Sequence, residues 1–87
     1  MKKIVTVTEV EGQGLEALLG QKVTLFCTNY IYAGILEGVN TTDVLLRDAF
    51  IVYETGDFSS AGFKDAQKLA AEEWRVRTAA IESYGVF

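Results

Sequence analysis

Three arginines, two carboxylates and a pair of tyrosines carry most of the chemistry open to this chain. Arg47, Arg75 and Arg77 are its only arginines and the candidates for contacting nucleic-acid phosphates. Arg75 and Arg77 stand two residues apart, which puts them on one face of a strand. The same residues can instead pair with Asp48, Glu72 and Glu73, at the surface or between subunits. Each such exposed pair is worth only about 0–1 kcal/mol. Asp43 and Glu82 suit either a site for cations or a basic partner segment, or the ordinary roles of a turn cap and a solvated strand residue. Tyr30 and Tyr32, two apart, offer stacking rings or packing at a subunit contact. Cys27 is in register with Val23 and Leu25 and reads as a core residue.

Other chemistries lack their parts. No histidine occurs, so neither histidine acid–base chemistry nor an activated Cys27 nucleophile is expected, nor a zinc site. Glu72 and Glu73 are adjacent and would splay apart on a helix, and no glycine-rich phosphate loop is present. No catalytic residues, no cofactor and no metal are therefore expected, and the chain reads as a binding module rather than an enzyme. With 8 basic against 12 acidic residues the net charge is −4, and each half, divided at Asp43, carries −2. That balance argues against a broad phosphate-gripping surface, although a local patch can outvote the total.

The elements that must position these side chains read as one small, mainly β domain over residues 1–87. Hydrophobic residues make up 49% and proline is absent, which fits a packed core rather than a disordered chain. No apolar run is long enough for a membrane-spanning helix, and the basic start Met1-Lys2-Lys3 has no apolar block behind it, so the expected compartment is the cytoplasm. Lys3 to Val10 alternates β-branched and polar positions, and residues 1–10 read as an arm or extra strand. Leu15, Leu18 and Leu19 followed by Gly20 read as a one- to two-turn N-terminal helix. Strands are expected over residues 22–28, 30–39 and 44–54, with a turn at Asn40-Thr41-Thr42-Asp43 and bending points at Gly34 and Gly38.

Residues 55–62 read as a loop. Residues 63–74, rich in Ala, Lys, Gln and Glu, predict an inserted helix with Phe63, Ala66, Ala70 and Trp74 on its apolar face. Together with Phe58 that face would cover one end of a barrel, or form a partner groove. Two more strands follow at residues 75–82 and 84–87, so the natural closure is a strongly bent, five-stranded barrel.

This order, with the residues at its turns, resembles the Sm-like family. Residues 15–25 look like the family's opening helix and strand. Gly34-Ile35-Leu36-Glu37-Gly38-Val39-Asn40, then Asp43-Val44-Leu45-Leu46-Arg47-Asp48-Ala49, resembles its first motif. Ile81-Glu82-Ser83-Tyr84-Gly85-Val86 is similar in position to its second, Ile-Arg-Gly-Asn-x-Val. The resemblance implies a small Sm-like (SH3-like) barrel and a homo-oligomeric ring of about five to seven copies. Divergent phage or bacterial members look closest. In such rings the fourth strand of one subunit pairs with the fifth of the next, which would put Val76, Thr78, Tyr84, Val86 and Phe87 at the subunit interface.

The resemblance also implies binding of single-stranded RNA at the pore, by residues aligned with Asn40, Thr41, Thr42, Asp43, Glu82 and Ser83. The pocket has drifted from the family pattern. Thr41 and Thr42 stand where a stacking aromatic should be, and Asp43 replaces an asparagine that both donates and accepts. Glu82 replaces a basic residue, so that Asp43 and Glu82 would form an acidic rim. Two alternatives follow: a ring that binds protein and not RNA, and a monomeric SH3-like barrel that binds peptides.

Overall fold

The computed structural model describes residues 14–57 and 62–86; the expected arm at residues 1–10, Phe58 and Phe87 lie outside the described residues. The chain is mainly β. Its strands are β1 (Lys22–Cys27), β2 (Ile31–Val39), β3 (Asp43–Glu54), β4 (Asp65–Lys68), β5 (Glu73–Arg77) and β6 (Ile81–Val86). All pairings are antiparallel, in the order β4-β3-β2-β1-β6, with β5 also on β3. No ladder among the described residues joins β6 to β4 or β5, so hydrogen bonding does not close the sheet into a barrel.

β1 to β3 form where β-branched and aromatic residues alternate with turn residues, as their composition dictates. Their inner face holds Val23, Leu25, Leu36, Val44, Leu46 and Ala49, joined by Val76 of β5, all nearly inaccessible to solvent. Leu15 and Leu18 pack against this cluster from a single 3₁₀ turn, Leu15–Leu18, which is all that forms of the expected N-terminal helix. Gly20, at φ 85°, ends the turn in a conformation that favours glycine, and its amide donates to Leu36 O at 2.7 Å.

The sheet bends at Gly34. A methyl built there would lie 3.0 Å from Arg47 O and 3.2 Å from Ala49 Cα, so β3 backbone occupies the space of a side chain. Opposite it, Asp48 takes φ 52° and the register slips between Ala33 and Ile35. This β-bulge divides β3 into two halves. The first half, from Asp43 to Arg47, pairs with β5, and the second, from Phe50 to Glu54, pairs with β4.

The inserted helix expected over residues 63–74 does not form. Residues 65–68 and 73–77 are strands along β3, and Leu69 N bonds Ala49 O at 2.9 Å where the two pieces part. Helix propensity here amounts to a few tenths of a kcal/mol per residue. Pairing along β3 adds two backbone ladders and buries Val76 in the core, which outweighs that difference. The expected strand over residues 75–82 is broken by a 3₁₀ turn, Thr78–Ala80, and with residues 65–68 as an added strand the described sheet has six strands rather than five.

Two stability predictions follow from this packing. Gly34→Ala should destabilise the fold by about 1–3 kcal/mol, because the contacting atoms are backbone and cannot rotate away. A urea midpoint equal to wild type would contradict that. Thr24 is 1% exposed and its hydroxyl has no hydrogen-bond partner among the described residues. The isosteric Thr24→Val removes the desolvated hydroxyl and should add about 1 kcal/mol. The melting temperature should rise by roughly 4–8 °C, and a fall would mean that the hydroxyl is satisfied.

Candidate functional site

Three turns meet at one end of the sheet: residues 28–30, residues 40–42 and the 3₁₀ turn at Thr78–Ala80. Asn40 organises the middle one. Its side-chain oxygen accepts from Thr42 N at 2.9 Å and Asp43 N at 3.0 Å, the geometry that makes asparagine a turn residue. The Thr42 hydroxyl lies 2.9 Å from Asp43 Oδ1 and 3.0 Å from Asn40 Oδ1, between the two acceptors. Thr78 ties this turn to the corner beyond β5: its amide donates to Thr42 O at 2.9 Å and its hydroxyl to Asn40 O at 3.3 Å. The Thr28 amide bonds Ala80 O at 2.9 Å, which joins the third turn to the same corner.

Two arginines converge on this end. Arg75 Nη1 is 3.3 Å from Asp43 Oδ2, an ion pair across the strands. Arg77 is the direct cross-strand partner of Asp43 and has no ion pair among the described residues. Asp43, Arg75 and Arg77 thus leave one positive charge uncompensated on a chain whose net charge is −4. The Asp43 carboxyl is held below its ordinary value of 3.8, chiefly by the Thr42 hydroxyl. Arg75 and Asn40 act in the same direction, and desolvation opposes them.

The other sequence candidates lie elsewhere. Arg47 pairs with Glu37 on β2 and approaches Asp48 at 3.7 Å, so it belongs to the bulge and not to the turn cluster. Glu82 and Ser83 are on β6 and line a different groove of about 580 Å³, with Phe26, Tyr30, Val52 and Tyr53. Glu82 lines that groove, while the Asp43 carboxylate faces Arg75. Val76, expected at a subunit interface, is 4% exposed and belongs to the core. Thr78, expected in the same interface, is engaged by residues 40–42 of its own chain. Tyr84 and Val86 on β6 are exposed, at 42% and 49%. The Cys27 thiol is pushed up by burial and then by the Glu82 charge, and lies 3.8 Å from Leu25 O.

Local spacing did not reveal a second pocket, of about 180 Å³, which brings Asn29, Tyr30 and Tyr32 against Arg75 and Arg77. The tyrosines precede the arginines by more than forty residues, and only the sheet order makes them neighbours. Among the described residues no group of three or more His, Cys, Asp or Glu side chains could hold a metal ion, and no helix is long and apolar enough to cross a membrane. Neither a comparison with protein-family models nor one with curated proteins finds a match to this chain.

Because the Asp43 carboxyl is lower in the folded protein than in the unfolded chain, its stabilisation is complete above the unfolded value. It is lost as pH falls from 3.8 through the folded value. A carbon-13 titration of Asp43 should give a midpoint below 3.8, and Thr42→Val and Arg75→Ala should each raise that midpoint. A wild-type midpoint at or above 3.8 would contradict the geometry.

Proposed function

We propose that this chain is a non-enzymatic binding module of Sm-like architecture that assembles head to tail into a ring. Its ligand is single-stranded RNA, held where residues 40–43 meet the Thr78–Ala80 turn. The observation that carries this reading is Arg77, uncompensated beside Asp43 while Arg75 neutralises that carboxylate. A locally positive, hydrogen-bonded corner can contact phosphate although the chain as a whole is acidic.

The strand corner supports the same reading and changes which residues match the second motif. The segment that turns between two strands is Val76-Arg77-Thr78-Ala79-Ala80-Ile81. It has the apolar, arginine, small-residue, apolar order of the motif, whereas residues 81–86 run along β6. Arg77, rather than Glu82, then takes the basic position, and the acidic rim is not part of the reading. Ring assembly is supported by the outer edges of β5 and β6, which carry no ladder among the described residues. Pairing such edges head to tail closes a ring where the rotation allows. The groove between Tyr30 and Tyr53, exposed at 57% and 62%, favours a ring that binds protein as the second reading.

Light scattering should give several copies of the chain per particle; a monomer at micromolar concentration removes the ring. Anisotropy with labelled oligo-U and oligo-A should show binding that weakens between about 50 and 200 mM salt, with Arg77→Ala reducing the salt slope by about one. No binding below ~100 µM at low salt would overturn the RNA reading and leave the protein-binding ring.

A further inference from the structure

The pocket between the residue 28–30 turn and β5 has the parts of a nucleobase site that the turn cluster lacks. Tyr30 is 57% exposed and helps to line both this pocket and the larger groove beside it. Tyr32 steadies the Tyr30 ring: the ring centroids are 6.3 Å apart and the planes tilted by 59°. Tyr32 is itself half-buried and packs against the core. Such a ring offers a face with little left to order on binding.

Arg75 and Arg77 line the same pocket. Asn29, also in the lining, makes no side-chain hydrogen bond among the described residues and offers both a donor and an acceptor. The space of about 180 Å³ is below the range of roughly 300–1,000 Å³ in which drug-sized ligands are enclosed. It admits one planar ring system. An aromatic face, uncompensated positive charge and a free amide around one ring-sized space match the π-face, phosphate and edge of a nucleotide.

We propose that this pocket is a base-stacking subsite for single-stranded RNA. One base lies on Tyr30, its edge meets Asn29, and its flanking phosphates meet Arg75 and Arg77. The inference rests on the RNA reading above and extends it from the turn cluster to a second position on the strand. Arg77 lies between the two positions and serves both.

The test is binding of oligo-U carrying 2-aminopurine, read by anisotropy and by quenching of the base, with wild type, Tyr30→Ala, Tyr30→Phe and Arg77→Ala. Stacking predicts that Tyr30→Phe binds within about twofold of wild type. Tyr30→Ala should bind roughly tenfold more weakly and lose the quenching. Tyr30 is exposed, so its truncation should leave the fold intact, which circular dichroism checks. If Tyr30→Ala binds and quenches like wild type while Arg77→Ala binds weakly, the stacking subsite is overturned and the RNA reading stands. If wild type binds no oligonucleotide, the RNA reading fails and the subsite with it.

Discussion

The approach of Gly34 to the β3 backbone is the constraint on which the rest of the molecule depends. With 3.0 Å between Arg47 O and the place of a methyl, β2 and β3 can cross closely only because residue 34 has no side chain. The bend is matched across the ladder by Asp48 in a left-handed conformation, one of the few non-glycine residues that tolerate it. Arg47 and Lys68 both approach the Asp48 carboxylate, so the kink is flanked by ion pairs on the solvent side. Core residues on either side of the bulge, Leu46 and Ala49, remain buried because the extra residue lets the strand change direction without turning its apolar face outward.

The bulge has consequences at a distance. By ending the β4 pairing and starting the β5 pairing afresh, it sets Arg77 opposite Asp43 and Arg75 opposite Leu45. The short 3₁₀ turn after β5 then carries the chain back to β1, where β6 pairs. Three turns from distant parts of the sequence are thereby bonded backbone to backbone at one end. The arginines come with them, and positive charge accumulates at one corner of an acidic protein.

Much of this was legible in the sequence, and the misread parts share one cause. β1, β2 and β3 lie within a residue or two of their expected bounds, and the Asn40 turn has the side-chain bonds its residue type favours. Those features depend on neighbours in the chain: alternation, β-branching and an asparagine bonding two residues onward. Residues 63–74 were misread because Ala66, Gln67 and Lys68 favour a helix locally, while the edge that recruits them, residues 50–54, is remote in sequence. The 3₁₀ break at Thr78–Ala80 leaves no mark in residue spacing, so residues 75–82 read as one strand.

By itself the sequence determined the class of structure, the three leading strands, the glycine at the bend and the absence of histidine chemistry, since each follows from residue type and near-neighbour pattern. Tertiary structure alone decided that a helix-prone segment would become two strands, that Asp43 would face Arg75 and not Glu82, and that Tyr30 would stand beside Arg77. The physical reason is that backbone hydrogen bonds along an open sheet edge outweigh local propensity, and that edge exists only once distant strands have paired.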